Sequence, residues 1–408
     1  MGEELVKKNK RKVYFFLAYK SITIDWLLVY AIDSLYYADI KGMSFSMISL
    51  LTTVFCLSFV IAQIPCIKLV RTMGTANASR LGTFLLFVST IFLFFDPWAM
   101  FVAQALSGVA LSMKNLAEPK ILKDNLKMFG LSDKYSKYGS TSRFGFAFLT
   151  AIGTFAAGFL YEYWVYLPFI LATSILFISV ILSLFIKNEK EIYKKQHNLP
   201  KHNVAMEKFE YIKLFKYRTT WLLLFFSMIF FALVCCPMDI NKMILQQLDF
   251  SATTITTICG VAYLIRSFAT LGFGYIYSKL KFNSIHIITA FSVAGLLMMG
   301  LGGMFLDGIA ALLILGIGTT LLYSTKDPFH IVREDFVMNS KGLTKRQTLL
   351  SITNIGTYLG RTIMSLIISQ ILLTQTAAMT DLIILASLVP LAIVISLLLD
   401  RKRKVNKY

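Results

Sequence analysis

The stretch that divides this chain runs from Lys187 to Thr219 and reads KNEKEIYKKQHNLPKHNVAMEKFEYIKLFKYRT. It is the one long hydrophilic interval in a chain of 408 residues that is 56% hydrophobic and only 15% charged. Soluble domains are about half apolar and about a quarter charged, so this composition indicates a membrane protein. We therefore predict an N-terminal half over residues 1–186, a linker over residues 187–219 and a C-terminal half over residues 220–408.

Apolar segments lie on both sides of this linker, and each is near the length of about 20 residues that a helix needs to cross the hydrocarbon core. Apolar runs of this length without two-residue alternation predict helices and exclude a β-barrel. We number the predicted spans 1 to 12 in chain order: 13–38, 44–67, 78–95, 97–122, 141–161, 165–186, 220–240, 253–277, 285–306, 308–330, 348–372 and 380–399. The predicted fold class is an all-α membrane protein with six helices in each half.

The formal net charge of +19 comes from basic residues in short runs between the spans. This distribution fits topology signals and contact with anionic lipids, so membrane lipids are the expected partners and nucleic acid is not. The termini and the intervals after even-numbered spans are basic, which predicts that both termini and the linker are cytoplasmic in a multi-pass cell (plasma) membrane protein. Within the linker, Met206–Tyr217 has the pattern of an amphipathic helix on the inner membrane surface, and a plain solvated linker is the alternative.

Ionisable residues are distributed unevenly among the spans. A charge in the hydrocarbon core costs roughly 2.5–3.5 kcal/mol, so it normally faces a cavity or a partner. Spans 3, 6, 9 and 12 have no acidic or basic residue within their apolar cores. This pattern predicts that each half consists of two three-helix repeats whose third helix faces lipid. Such halves, with a binding site near the midplane between them, are typical of many secondary transporters.

The end of span 2 carries a family resemblance. Gln63–Gly74 reads QIPCIKLVRTMG, in which Leu69 and Gly74 match the glycine-rich signature between spans 2 and 3 of the major facilitator superfamily. The whole chain resembles that superfamily, and this stretch is similar to a bacterial subset whose span 2 ends in Glu-Ile-Pro. Ile67 and Arg71 depart from the signature, so the usual cytoplasmic latch between spans 2 and 11 is not expected in the same form.

Three other stretches resemble the same subset. Asp124-Asn125-Leu126 is similar to its acidic exit from span 4, and Glu118 falls where the subset also carries an acid. The run Arg346–Ser351 is similar to its basic entry into span 11. The resemblance implies a secondary active transporter that works by alternating access. No catalytic constellation or phosphate-binding glycine loop is present in the sequence, so we expect neither an enzyme nor a cofactor or metal site.

The residues predicted to contact substrate lie at or beside intramembrane charges: Asp25, Trp26, Tyr30, Asp33, Lys114, Glu118, Tyr323, Lys326 and Asp327. The residues predicted to act in gating or between the halves belong to the signature or are basic: Arg71, Gly74, Arg143, Arg266, Arg346 and Arg361.

Two of these predictions involve proton coupling. Lys114 and Glu118 are four residues apart, so they lie on one face of span 4 and can pair. They either fix the rotation of that helix, or Glu118 titrates when the pair is disturbed. Asp25 lies near the middle of span 1, where it is a proton carrier or a member of an ion pair. Pro328 after Lys326 and Asp327 predicts an interruption of span 10.

The sequence favours proton-coupled efflux of a small amphipathic molecule or short peptide by a monomeric protein, with mixed charges that suit a zwitterionic ligand. Uptake of a nutrient is an alternative of the same class. A lipid flippase or a transporter-like receptor is an alternative from a different class.

Overall fold

The computed structural model describes residues 2–24, 26–131, 135–188, 191–192, 216, 218–280, 283–338 and 343–405. Within these residues the regular elements are helices, and no strand occurs among them. Each predicted span coincides with a helix or a pair of helices, so the all-α membrane fold is confirmed. Asp25 and the predicted amphipathic helix of the linker, apart from the turn at residue 216, lie outside the described residues.

The helices of the N-terminal half are Gly2–Ile22 and Asp33–Leu35 in span 1, Phe45–Met73, Thr75–Ile91, Pro97–Met128, Tyr135–Tyr163 and Leu167–Ser183. Those of the C-terminal half are Arg218–Gln247, Ala252–Leu280, Ser284–Phe305, Gly308–Tyr323 and Lys326–Met338 in span 10, Leu343–Ile371 and Ala377–Val405. We call the membrane face that carries the linker the linker face, and the opposite face the far face.

Eight helices of the described part are both long and apolar enough to cross a membrane, and they are spans 2, 3, 5, 7, 8, 9, 10 and 12. Span 6 is equally apolar but its helix has only 17 residues. Span 4 has 32 residues, and its charges at Lys114, Glu118 and the basic end lower its hydropathy. Span 6 thus falls short by length, span 4 by its polar residues and span 1 by the break in its helix.

Local sequence explains several helix starts. The Ser44 hydroxyl accepts a hydrogen bond from the Met47 N–H at 3.3 Å and so caps span 2. Span 4 begins at Pro97, where the missing N–H of proline costs nothing because no helical carbonyl precedes it. Gly74 lies between spans 2 and 3 with φ +86°, a conformation that favours glycine, and it allows one helix to end and the next to begin.

The prediction that span 1 is one helix over residues 13–38 is wrong. The helix ends at Ile22 and an α-turn forms again only at Asp33–Leu35, followed by a π-helical turn at Tyr36–Ile40. Before the break stand Ile22, Thr23 and Ile24, whose β-branched side chains have low helix propensity. The Thr23 hydroxyl also donates to the Tyr19 carbonyl at 3.0 Å. The unwound segment exposes polar backbone at membrane depth, which is tolerated only inside a protein.

Span 10 is interrupted as predicted. Its first helix ends at Tyr323 and its second begins at Lys326, with Asp327 in the first turn. Pro328 lies in that first turn, where a proline is accommodated without loss of a helical hydrogen bond. Spans 1 and 10 are therefore both discontinuous, which is the feature that transporters use to bring backbone groups and helix ends to a midplane site.

Contacts between the two halves are carried mainly by three pairs of spans. Span 5 packs along span 8, span 2 packs along span 11, and span 1 meets span 7. The main contacts of spans 3, 6, 9 and 12 are with helices of their own half. Spans 1, 2, 5, 7, 8 and 11 therefore form the boundary between the halves, and spans 3, 6, 9 and 12 lie away from it.

Candidate functional site

An ion pair joins the halves toward the far face. The Nζ atom of Lys242 in span 7 donates to Asp33 Oδ1 in span 1 at 2.6 Å and to the Tyr30 carbonyl at 2.8 Å. The same ammonium group lies 4.6 Å from the centre of the Tyr30 ring. Lys242 is only 2% exposed, so its charge is compensated by this one set of contacts between the halves.

Uncharged hydrogen bonds reinforce this closure between spans 2 and 11. The Ser46 hydroxyl donates to the Ser369 carbonyl at 2.6 Å, and the Ser49 hydroxyl donates to the Ser365 carbonyl at 2.9 Å. A small cavity beside them is lined by spans 2, 7 and 11 and includes Ser49, Thr52, Asp239 and Ser365.

Two further bonds close the rim. The amide of Gln246 donates to Asp39 at 2.9 Å, and Glu162 accepts from the Thr253 N–H at 2.9 Å. Both bonds join residues of opposite halves at the far ends of their spans. The structure is therefore closed at the far face.

Three tyrosines continue from this pair toward the centre. Tyr263 of span 8 makes edge contacts with Tyr30, at a ring distance of 5.7 Å, and with Tyr323, at 5.0 Å. The Arg266 guanidinium carbon lies 5.4 Å from the centre of the Tyr263 ring. The predicted aromatic residues Tyr30 and Tyr323 are thus brought together, and Tyr263 completes the set.

Arg266 and Asp327 form a buried ion pair between spans 8 and 10. Asp327 accepts from Arg266 Nε at 2.8 Å and from Nη2 at 3.2 Å, and the Thr270 hydroxyl adds a bond at 3.2 Å. Both side chains are less than a tenth exposed. The second oxygen and the added hydroxyl are the compensation that a buried carboxylate requires. These residues were predicted separately, one as a gating residue and one as a substrate contact, and the structure makes them one unit.

Arg361 and Asp239 form the second pair of the C-terminal half. Arg361 Nη2 of span 11 donates to Asp239 Oδ2 of span 7 at 2.5 Å, and both side chains are partly accessible. Beside them Tyr358 stacks on Phe59 of span 2 with ring centres 3.7 Å apart. Since Asp239 also lines the small cavity, this pair borders the interface between the halves.

Lys326 adds positive charge to the linker-face side of this centre. The charges of Arg143, Arg266 and Lys326 act on Asp327, and those of Arg143, Arg266, Lys326 and Arg333 act on His330. Among the described side chains of this cluster Asp327 is the acid, and it is already bound by Arg266. Lys326 is therefore left without an acidic partner of its own among the described residues, which suits an anionic group of a ligand.

Lys114 and Glu118 lie in a different place, within the N-terminal half. Lys114 Nζ is 2.5 Å from Glu118 Oε1 and also donates to the hydroxyls of Thr23 and Thr83 at 2.8 and 3.2 Å. The Ser79 hydroxyl donates to Glu118 at 3.3 Å. Both charged groups are almost fully buried against spans 1 and 3, so they are not adjacent to the tyrosine set.

The remaining predicted residues fall at other positions. Trp26 is buried in the unwound part of span 1, Arg143 lies near the linker end of span 5, and Arg71 lies in the last turn of span 2. Arg346 is in the helix of span 11, with its side chain outside the described part. Asp25 is not described.

The signature after span 2 is replaced by a polar cluster within the N-terminal half. Glu191 accepts from the Thr75 N–H at 3.1 Å and from the Thr75 hydroxyl at 2.9 Å, at the start of span 3. Asn188 donates to that hydroxyl at 2.9 Å and to Asp124 at 3.3 Å. The acid that the signature lacks between spans 2 and 3 is thus supplied by the beginning of the linker, where it also favours the helix N-terminus.

Sequence reasoning missed Lys242 and Asp239 as site residues because both fall at the outer end of the predicted span 7, which ended at residue 240. The helix continues to Gln247, which places both charges inside the bundle. His330, the last residue of the predicted span 10, has its ring among those of Phe231 and Phe329. The available signal was the continuous helical pattern through Asp239-Ile240-Asn241-Lys242.

Comparisons with known proteins agree with this architecture. The sequence model described as Major Facilitator Superfamily matches residues 15–325. A crystal structure of a mutant of the nucleoside transporter NupG superimposes with a TM-score of 0.74 and 12% identity, over 95% of this chain and 98% of that chain. The structure titled nucleoside transporter NupG gives 0.69 and 13% identity, over 95% and 97%. A comparison with curated proteins found no match.

Proposed function

This chain belongs to the Major Facilitator Superfamily, and we propose that it is a proton-coupled secondary transporter that exports a small amphipathic molecule or a short peptide by alternating access. The proposal places it in the cell membrane with both termini and the linker in the cytoplasm, acting as a monomer. The linker face is then the cytoplasmic face.

The charge balance at the centre of the bundle supports the proposed class of substrate. Asp33, Asp239 and Asp327 are each bound to a cation in an ion pair, while Lys326 has no hydrogen bond or ion pair with the residues that the structure describes. An unbalanced cation in a low-dielectric site is stabilised by an anionic ligand group. A peptide or other zwitterion supplies a carboxylate for Lys326, and an amphipathic part for the neighbouring tyrosines.

Glu118 and Asp25 are the proposed coupling groups. Protonation of Glu118 removes its charge from the pair with Lys114 at 2.5 Å and leaves the ammonium to Thr23, beside the break in span 1. Because Thr23 is adjacent to the unwound segment, a change in this pair reaches the residues that contact span 7 at the far face. Protonation of Glu118 is in this way linked to the contacts that close the far face between the halves.

Counterflow in liposomes tests the function. Purified protein is reconstituted with unlabelled dipeptides, amino acids or nucleosides inside, and entry of the same labelled compound is measured. Nucleosides belong in the panel because the superimposed structures are of a nucleoside transporter. We expect exchange of a zwitterionic peptide-like compound, whereas binding without exchange would favour a receptor.

Direction and coupling are tested with an imposed pH gradient. Glu118→Gln and Asp25→Asn are expected to retain exchange and to lose accumulation driven by the gradient. If both correctly inserted variants accumulate substrate as the wild type does, the assignment of coupling fails. Accumulation parallel to inward proton flow would favour nutrient uptake instead of efflux.

A further inference from the structure

Asp381 in span 12 is a fully buried acid outside the site described above. Its relative exposure is 0%, and neither carboxylate oxygen has a hydrogen-bond partner in the described part of the chain. The prediction that span 12 carries no ionisable residue in its apolar core is wrong, because the helix begins at Ala377 and Asp381 is buried one turn inside it. An isolated carboxylate without compensation is among the most costly groups to bury.

Helix geometry puts Asn241 of span 7 at the depth of Asp381. Ile244 and Ala378 both meet the position of Gly303 in span 9, which places those two residues beside each other. Asn241 is one helical turn from Ile244, and Asp381 is one turn from Ala378, in each case toward the linker face. Spans 7 and 12 therefore bring Asn241 and Asp381 to one level between spans 7, 9 and 12.

The hydrogen bonds of Asn241 decide which of its amide atoms is left without a partner among the described residues. As placed, Oδ1 is 3.0 Å from the Thr319 hydroxyl, and Nδ2 has no partner although Asn241 is fully buried. The Thr319 hydroxyl has one proton, and its 2.6 Å bond to the Leu315 carbonyl uses that proton. Toward Asn241, the Thr319 hydroxyl then accepts a bond and does not donate one. If the amide nitrogen and oxygen are exchanged, Nδ2 donates to the Thr319 hydroxyl and Oδ1 becomes the amide atom without a partner.

We propose that Asp381 and the Asn241 side-chain carbonyl form a binding site for a monovalent cation, a proton or a sodium ion, within the C-terminal half. Such a cation neutralises the carboxylate, which explains how the acid is buried without a basic partner. In the proposed transport, the coupling ion would bind at this second position, away from Glu118. That role of the site rests on the proposed function. Binding itself does not depend on transport.

The described charged groups of spans 7 and 9, which pack against span 12, do not form an ion pair with Asp381. On span 7, Asp239 binds Arg361 and Lys242 binds Asp33. On span 9, the titratable residue is His286 at the linker end. Burial is the sole influence on the ionisation of Asp381 from the described part of the chain, so no described charge compensates it.

Thermal unfolding of the purified protein tests the site without a substrate. The wild type is measured over a pH series in choline chloride, and at constant pH with sodium chloride replacing choline chloride. A cation that binds only the folded state raises Tm, so a proton site gives a Tm that falls as pH rises, and a sodium site gives a Tm that rises with sodium. Asp381→Asn keeps the shape of a neutral acid and is expected to lose that response.

Two further variants complete the experiment. Asp249→Asn makes the same chemical change at an exposed residue in the loop after span 7 and is expected to respond as the wild type does. Asn241→Ala removes the proposed carbonyl ligand and is expected to weaken the dependence of Tm on the cation. This variant still tests the site if Asp381→Asn does not fold. A cation response of equal size in the wild type and both site variants would overturn the proposal, as would a wild type that responds to neither cation.

The result is separable from that of counterflow. A response that depends on Asp381 in a protein without exchange activity would support the cation site and refute the proposed transport. Exchange activity together with a Tm response that does not depend on Asp381 would support the proposed transport and refute the cation site.

Discussion

Lys242 and Asp33 bind each other at 2.6 Å across the boundary between spans 7 and 1. The pair lies on the far-face side of the three tyrosines and holds the discontinuous part of span 1 against the C-terminal half. Alternating access requires such contacts to form and break, because one half must rock against the other around the bound solute. We therefore expect the pair to act as a gate contact.

We expect Lys242→Gln to open the far face more often, since it leaves Asp33 without its cation. The five cysteines are buried, and Cys236 lines the small cavity between spans 2, 7 and 11. A membrane-impermeant thiol reagent added at the far face should therefore label the variant faster than the wild type.

Lys41→Gln is the matched control for this labelling. Lys41 Nζ binds the Phe95 carbonyl at 2.5 Å, a contact within the N-terminal half, and burial in this loop lowers the pKa of Lys41. Its replacement should leave labelling unchanged. Equal labelling of Lys242→Gln and the wild type would mean that this pair does not hold the far face closed.

Lys326→Gln should weaken the binding of a ligand through its carboxylate. A hydrogen bond between charged groups contributes about 1.5–3 kcal/mol, which corresponds to roughly a ten- to hundredfold loss of affinity. A dipeptide and its C-terminal amide are compared by competition against the transported solute. The variant should lose the preference for the free carboxylate, and an unchanged preference would exclude Lys326 as its partner.

Asp327→Asn should destabilise the fold by about 3–5 kcal/mol, because it leaves the Arg266 guanidinium buried without its carboxylate. The combined Arg266→Gln and Asp327→Asn variant should be more stable than the sum of the single variants predicts. Denaturation of the four proteins gives the coupling energy. Strict additivity would show that the two side chains do not act as a pair.

Gly158→Ala should separate spans 5 and 8 at their far ends. A Cβ at Gly158 would lie 2.0 Å from the Thr256 hydroxyl oxygen and 2.8 Å from the Thr253 Cα, and forced packing of this kind costs about 1–3 kcal/mol. A lower Tm and faster far-face labelling are the expected results. Gly272→Ala in span 8 is the control, because nothing lies within 4 Å of its Cβ, and it should not lower Tm.

The positions of the helices could be predicted because apolar length decides which segments enter a membrane. The break in span 1 could not, since Trp26 to Ile32 is apolar and matches a helix in composition. Its conformation depends on tertiary contacts, such as the bond from Lys114 to Thr23 and the approach of the Leu28 backbone to Gly153 of span 5. The β-branched run Ile22-Thr23-Ile24 was the local sign of a break.

The charges of the candidate site could be found in the sequence, but their partners could not. Lys114 and Glu118 were paired correctly because helix geometry brings residues four apart together. Arg266 and Asp327, or Lys242 and Asp33, are joined by the packing of different spans, which no spacing along the chain encodes. Asp381 was missed because it lies one residue inside the predicted start of span 12, where an acidic residue is typical of the end of a membrane span.

The contacts of Ser46 and Ser49 with the carbonyls of span 11 have an energetic consequence for turnover. Each is a bond between an uncharged hydroxyl and a backbone carbonyl, worth a net of only about 0.5–1.5 kcal/mol, because water replaces either partner once the surfaces part. Two such bonds amount to a barrier that ordinary solute affinity can outweigh. These two contacts on the far face can therefore form and break reversibly.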